Sequence, residues 1–141
     1  MAKIETTEHG QQWLREALAD NFDNIGNGMT HLPCDGRYWC PDIDAFDDII
    51  DGCRVLAKEY VEWQFDCNNF AFYFQSQVAY EYGVNAVGVV IDYSGRHAYN
   101  VIVYDDGSCA LYEPQTGEFV NRGDDMSDHE AYAFEEGFII L

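Results

Sequence analysis

The stretch Phe65-Asp66-Cys67-Asn68-Asn69-Phe70-Ala71-Phe72 marks the most informative transition in the chain, because polar residues give way there to a dense apolar run. Such a transition predicts a loop that delivers a cysteine to the first turn of a buried helix. The first backbone N–H groups of a helix lack partners within it and carry the positive end of its dipole, so they stabilise a thiolate. The thiolate is the nucleophilic form of cysteine. Cys67 is therefore the first candidate site residue.

The helix is predicted to run from Cys67 to about Tyr82, with Cys67 on its apolar face. After Gly83 the pattern changes to β-rich runs over 86–92, 97–104 and 109–113, which turn residues separate. The last four residues predict a final strand. Together these elements predict an α+β fold in which a helix bearing the cysteine packs on an antiparallel sheet bearing a histidine and a glutamate.

The histidine is His97, which shares a strand face with Tyr99, while Asn100 lies on the other face. The loop length of the hairpin that follows this strand determines which residue lies beside His97. A three-residue loop over 105–107 pairs Tyr99 with Glu113 and sets Glu113 diagonal to His97. A two-residue loop pairs Asn100 with Glu113 and moves both to the opposite face. The residues alone leave both registers open.

A cysteine nucleophile needs a base within hydrogen-bond reach and a third group that orients the base. Cys67, His97 and Glu113 are the residue types for these three catalytic roles. The backbone N–H of Cys67 and the side chain of Gln64 are candidate oxyanion donors, and Asn100 is expected to pin the strand. The alternative is structural, since a strand histidine is often a hydrogen-bonded core residue and a buried cysteine behaves as a small hydrophobe.

The chain of 141 residues is expected to form one domain, 1–141. Within it, residues 1–36 read as an N-terminal extension with one helix over 11–20, residues 37–120 as the core, and residues 121–141 as an acidic loop and terminal strand. Residues 21–35 read as an irregular connection.

Before the main helix, Arg37 to Pro41 form an aromatic anchor in front of a second helix. Asp42 or Asp44 is expected to cap this helix, and Phe46 and Cys53 lie at helical spacing along it.

The amino-acid composition narrows the range of binding partners that the protein can have. Twenty-six acidic residues against seven basic ones give a net charge of −19, which opposes direct binding to nucleic acid or anionic membranes.

No signal-like or membrane-spanning apolar run is evident, so the expected location is the cytoplasm or an assembled virion. Five cysteines form no CxxC pair. His31, Cys34 and Cys40 lack a fourth ligand, so zinc is not expected.

Three motifs carry a family resemblance: Phe65 to Ala71, Gly95 to Asn100, and Tyr112 to Glu118. In this order they resemble the papain-like cysteine protease domain at the C-terminus of mushroom agglutinins, and also small phage proteins. The resemblance covers about 37–120. It implies a papain-like or transglutaminase-like core with a Cys67, His97 and Glu113 triad.

The expected function is then a cysteine hydrolase that cleaves a peptide or isopeptide bond through an acyl-enzyme at Cys67; transglutaminase-like acyl transfer would use the same trio. Its partner would be a peptide or protein substrate, with no cofactor required. Calcium binding is implied by the agglutinin type, although Asn68 and Asn69 replace two family acids and weaken that implication. The alternatives are a virion structural or interaction protein with assembly partners, or an acidic inhibitor that mimics nucleic acid.

Overall fold

A computed structural model describes residues 3–50, 58–120 and 129–141. Over these residues the chain forms three α-helices and eight strands, with a short 3₁₀ helix at His129–Tyr132. The helices are α1 Gln11–Asn21, α2 Ile43–Ile50 and α3 Cys67–Tyr82. The strands are β1 Thr6–Gly10, β2 Met29–Leu32, β3 Arg37–Pro41, β4 Val87–Asp92, β5 His97–Val103, β6 Cys109–Glu113, β7 Glu118–Val120 and β8 Gly137–Ile140.

A six-stranded sheet in the order β2-β8-β4-β5-β6-β7 forms the centre of the fold. The pairs from β8 to β7 are antiparallel, but β2 runs parallel to β8, with Met29 opposite Gly137. The prediction of a purely antiparallel sheet is therefore wrong at this edge. The physical reason is that β2 is short and its partner among the described strands, β8, comes from the far end of the chain, so local sequence carries no signal of its direction.

Two helices cover opposite faces of this sheet. Leu14 and Leu18 of α1 lie in one buried cluster with Tyr99 and Val101 of β5. On the other face, α3 packs on β4 and β5, and its Phe74 lies in a second cluster with alternate sheet residues. Successive residues of β5 therefore contact different helices, as the two-residue repeat of a strand requires.

The main elements agree with their predicted positions. Helix α1 and helix α3 begin at Gln11 and Cys67 as expected, and the three central β-rich runs and the last strand form β4, β5, β6 and β8. Asp42 caps α2, since its carboxylate accepts a hydrogen bond from the N–H of Ala45 at 3.0 Å. Cys53 lies outside the described residues.

Two N-terminal segments differ from their predictions. Arg37–Pro41, expected to be an anchor, forms strand β3 and pairs with β1 in a separate two-stranded sheet. The irregular connection predicted over 21–35 contains β2. Both strands are short and lack strong apolar alternation. The proposed division of the chain at residues 36 and 120 stays a prediction.

The β5–β6 hairpin adopts the first of the two registers. Val103 lies opposite Cys109 and Asn100 opposite Tyr112, so the same register sets Glu113 opposite Tyr99. The N–H of Tyr104 donates to the carbonyl of Ser108 at 2.9 Å. Gly107 has a φ of +87°, which supplies the left-handed residue of a three-residue loop. Glu113 therefore lies on the His97 face of the sheet. None of the described helices is long and apolar enough to cross a membrane.

Candidate functional site: a thiol, an imidazole and a buried carboxylate

Cys67 is the first residue of α3 and is half-buried. The turn before it is fixed by a side chain of the helix itself, since the N–H of Asp66 donates to Oδ1 of Asn69 at 3.2 Å. Phe70 and Ala71, in the first turn, are buried against the sheet. The start of the helix is thus held in place, and the thiol lies at its positive end as the sequence predicted.

The Cys67 thiol and the His97 imidazole each shift the pKa of the other. Interaction with the imidazole lowers the pKa of the thiol, burial opposes this effect, and the Ala98 backbone adds to it. Burial acts to lower the pKa of His97, but its bonds to Cys67 and Glu113 outweigh this and raise that pKa to about 9. A lowered thiol pKa beside a raised imidazole pKa favours the thiolate–imidazolium form.

Glu113 holds the imidazole from the other side. Its Oε1 lies 2.5 Å from Nε2 of His97, and its side chain is 6% exposed, against 17% for His97. Since Nε2 is engaged with the carboxylate, Nδ1 is the ring nitrogen that remains for the Cys67 thiol. The N–H of Gln115 donates to Oε2 of Glu113 at 3.0 Å. These contacts orient the imidazole and stabilise its charged form.

Tyr132, which sequence reasoning missed, completes this arrangement. Its hydroxyl donates to Oε1 of Glu113 at 2.8 Å. Its ring meets the ring of His97 edge-on, with centroids 5.5 Å apart, and the ring of Tyr99 at 5.0 Å. The only available signal was an aromatic cluster, Tyr132 and Phe134, following an acidic stretch.

A second buried carboxylate holds the Tyr132 segment in place. Asp92 is 1% exposed, and its Oδ2 accepts hydrogen bonds from the Tyr99 hydroxyl at 2.7 Å and from the N–H of Phe134 at 2.8 Å. Its Oδ1 accepts bonds from Ser94 and Gly95. One carboxylate thus ties the β4–β5 turn to the segment that carries Tyr132.

The two supporting candidates lie in different places. Asn100 is fully buried, and its Nδ2 donates to the carbonyls of Ala71 and Gly88 at 2.9 and 3.0 Å, which joins α3 to the sheet. Gln64 is exposed in the loop before Cys67, where its N–H donates to the carbonyl of Val61. The roles predicted for both residues stay predictions.

The other described cysteines differ from Cys67. Burial raises the pKa of Cys40 and of Cys109 to about 12, and burial also raises the pKa of Cys34. All four described cysteines are free thiols. Among residues 3–50, 58–120 and 129–141, no group of three His, Cys, Asp or Glu side chains is arranged to hold a metal ion. The implied calcium binding and the expected location stay predictions.

A family model described as "Ricin-type beta-trefoil lectin C-terminal domain" matches residues 7–134. The chain belongs to this family. The match confirms the predicted resemblance to the C-terminal domain of agglutinins, which are lectins. No curated protein matches this lectin C-terminal domain in a sequence search.

Two solved structures share the fold. One is titled "PSL1a-E64 complex", with 19% identity and a TM-score of 0.70, and the match covers 95% of this chain and 51% of that one. The other is the Polyporus squamosus lectin bound to a human-type influenza-binding epitope, Neu5Acα2-6Galβ1-4GlcNAc. It has 19% identity and a TM-score of 0.67, with 95% and 49% covered. This lectin C-terminal domain thus spans about half the length of the chains it matches.

These matches correct the family and function predicted from the motifs. The papain-like or transglutaminase-like assignment is wrong, because the matched family and structures are lectins. The cysteine hydrolase, its thiol-protease activity and its peptide substrate were inferred from that assignment and are wrong with it. The virion and acidic-mimic alternatives gain no support. The physical reason is that unrelated folds can place the same Cys, His and Glu side chains in one site, so these residues do not identify a fold. The family match over 7–134, by contrast, also covers α1, β1 and β2.

Proposed function

We propose that this lectin C-terminal domain presents Cys67 as an activated thiolate that captures electrophilic ligands covalently. The observation that carries the proposal is the position of His97, which lowers the pKa of the Cys67 thiol on one side and lies with its Nε2 2.5 Å from Oε1 of the buried Glu113 on the other. An imidazolium held by a buried carboxylate stabilises a thiolate beside it, and a thiolate is the nucleophilic form of cysteine. This reactive thiol is the part of the motif resemblance that the geometry supports.

The chemistry requires only groups of this site. The proton of the Cys67 thiol resides on His97, and the Glu113 carboxylate beside the ring balances the charge of the imidazolium. The sulfur then donates an electron pair to an electrophilic carbon of the ligand. An S–C bond forms, and the bond to the leaving group breaks as that group departs with its electron pair. The product is a thioether when the carbon is saturated.

Alkylation with iodoacetamide, mapped by mass spectrometry across pH, tests the proposal. We expect the reactivity of Cys67 to have a midpoint below the ordinary cysteine pKa of about 8.5. In His97→Ala the midpoint should return to that value. Cys34 is the internal control, because it is exposed yet its pKa is raised. A wild-type Cys67 that reacts no faster than Cys34 at pH 7 would refute the proposal.

Family membership favours a second candidate function, which is carbohydrate recognition. The Polyporus squamosus lectin is bound to a sialylated trisaccharide in its structure. Calorimetric titration of this chain with the same trisaccharide and with its neutral part, Galβ1-4GlcNAc, tests the candidate directly. Saturable heat with either sugar would support it, and the absence of heat with both would reject it.

A further inference from the structure

A cavity of about 560 Å³ lies at one edge of the six-stranded sheet. Its walls come from the end of α1, from α2, from β6 and from the edge strand β7. Small-molecule sites in proteins are clefts of roughly 300–1,000 Å³, so the cavity is large enough for a ligand. None of the residues that line it is Cys67, His97 or Glu113, and it is therefore separate from the thiol site.

Apolar side chains form part of the cavity wall. Phe22 and Leu111 are almost completely buried, whereas Phe119 of the edge strand is 38% exposed. The ring of Phe119 packs against the ring of Tyr112, with centroids 5.3 Å apart. Aromatic and aliphatic side chains around a cavity favour an occupant with an apolar body.

A carboxylate lies on the same wall and has no cation to balance it. Tyr104 is buried, and its hydroxyl donates to Oδ1 of Asp47 at 2.9 Å. Burial raises the pKa of Asp47, the bond from Tyr104 opposes this shift, and the charges of Asp44 and Asp48 add to it. Neither of the two ion pairs found among the described residues includes Asp47.

Asn21 also lines the cavity, but its amide group already has partners. Its Nδ2 donates to the carbonyls of Ala17 and Gly107 at 2.7 and 2.8 Å, and its Oδ1 accepts the N–H of Cys109 at 3.3 Å. The Cys109 thiol is uncharged near neutral pH, because burial raises its pKa to about 12. Asp47 is therefore the charged group that an occupant of the cavity meets.

An organic ammonium ion fits this wall better than a metal ion does. Calcium takes about six to eight oxygen ligands, and the parts of the chain that the structure describes bring no three His, Cys, Asp or Glu side chains together for a metal. An ammonium group forms charge-assisted hydrogen bonds with a single carboxylate. The net charge of −19 also attracts cations and repels anions.

From these observations we infer that the cavity binds a small organic ammonium ion. The charged nitrogen pairs with the Asp47 carboxylate, and the apolar body of the ligand lies against Phe22 and Phe119. This site shares no residue with the Cys67 thiol site, so the inference goes beyond the proposed function and does not depend on it.

Calorimetric titration of the whole chain with phenethylamine near neutral pH tests the inference. Phenethylamine joins an ammonium group to a phenyl ring. Phenethyl alcohol and phenylacetate keep the ring but replace the cation with a neutral group and with an anion. We expect saturable binding of phenethylamine and binding of the other two that is about tenfold weaker or more, because they lose the charge-assisted bond to the carboxylate.

Variants of α2 and β7 locate the binding. Asp47→Asn keeps the size of the side chain but removes its charge, and it should weaken phenethylamine binding about tenfold or more. Asp48→Asn is the matched control, because Asp48 is exposed on the same helix, does not line the cavity and changes the net charge equally. It should bind within about twofold of the wild type. Phe119→Ala should weaken binding about threefold or more through lost apolar contact.

Several results would overturn the inference. Equal binding of phenethylamine and phenethyl alcohol would show that the carboxylate contributes nothing, and equal losses in Asp47→Asn and Asp48→Asn would show an effect of net charge alone. If Asp47→Asn does not fold, unchanged binding in Phe119→Ala decides against the cavity. Cys67→Ala should bind as the wild type does, and a loss there would place the ligand at the thiol site instead.

Discussion

Tyr132 and Glu113 are joined by a hydrogen bond of 2.8 Å from the tyrosine hydroxyl to Oε1, the same oxygen that lies 2.5 Å from Nε2 of His97. The Glu113 side chain is buried, so protein donors replace the water that its carboxylate would bind in the unfolded chain. The environment of the imidazole therefore depends on a residue that lies 19 positions from Glu113 and outside the predicted core.

Removing this hydroxyl should weaken the fold. We expect Tyr132→Phe to lower the free energy of unfolding by about 1.5–3 kcal/mol, because a buried carboxylate loses one donor. Urea denaturation measures the change. Tyr93→Phe is the control, since Tyr93 is 60% exposed and should change stability by less than about 0.5 kcal/mol. Equal effects in the two variants would contradict the assigned role of Tyr132.

The His97 and Cys67 pair should give stability a flat region in pH. The folded pKa of His97 is about 9 and the unfolded value about 6.5, so its contribution is full below about pH 6.5 and is lost as the pH rises through 9. The contribution of Cys67 has the opposite sign. It is full above about pH 8.5 and is lost as the pH falls through the lowered folded pKa.

Between about pH 6.5 and 8.5 the two slopes oppose each other, so the stability of the wild type should change little. Above about pH 8.5 its stability should fall. Cys67→Ala removes the opposing contribution of the thiol and one of the causes that raise the pKa of His97, so a smaller His97 contribution remains and stability should already fall from about pH 6.5. Urea unfolding of both proteins at pH 6.5, 7.5, 8.5 and 9.5 distinguishes the profiles. A wild-type protein that follows the Cys67→Ala profile would show that the thiol and the imidazole do not share a proton.

Gly95 should not tolerate a side chain. A Cβ atom there would lie 2.2 Å from the carbonyl oxygen of Ala131, which is backbone and precedes Tyr132. We expect Gly95→Ala to cost about 1–3 kcal/mol of stability, because either the turn or the Tyr132 segment must shift. Gly36→Ala, which meets no atom within 4 Å, should be close to neutral in the same thermal or urea assay. A stable Gly95→Ala protein would refute this close packing.

Gly107 should tolerate a side chain sterically but not conformationally. The nearest atom to an added Cβ is Cζ2 of Trp13 at 3.6 Å, an ordinary contact, whereas φ is +87°. Gly107→Ala should therefore destabilise the protein by about 1–2 kcal/mol through the backbone alone. Gly107→Asn should lose less, because asparagine tolerates the left-handed region better. Similar losses for Ala and Asn would point to another cause.

Much of the site followed from local sequence. The apolar spacing after Cys67 predicted α3, and alternation with turn residues predicted β4, β5 and β6, because these signals arise from burial of neighbouring residues. The hairpin register did not follow, since Asp105-Asp106-Gly107 suits loops of two or three residues. Packing of Tyr99 and Leu111 on α1 in one cluster favours the observed register.

The features that the sequence did not predict, strand β2 and the role of Tyr132, depend on contacts between distant parts of the chain. Strand β2 is four residues long and lies among Asn and Gly residues, so only its pairing with β8 identifies it. Tyr132 follows a stretch of acidic residues that reads as a solvated loop. The agglutinin C-terminal part of the family prediction was right, but its papain-like part was wrong, because three short motifs describe the contacts of one site and not the elements around it.

The parallel pairing of β2 with β8 has a kinetic consequence. It brings together residues such as His31 and Leu141, which are 110 positions apart and share a hydrogen bond. Contacts of such separation form late, because closing a long loop costs entropy before the contact repays it. Tyr132 and Phe134 lie just before β8, so they dock when that strand does. During refolding, a nearly native sheet should therefore hold Cys67 beside an incompletely supported His97, and thiol reactivity should mature only in the last phase.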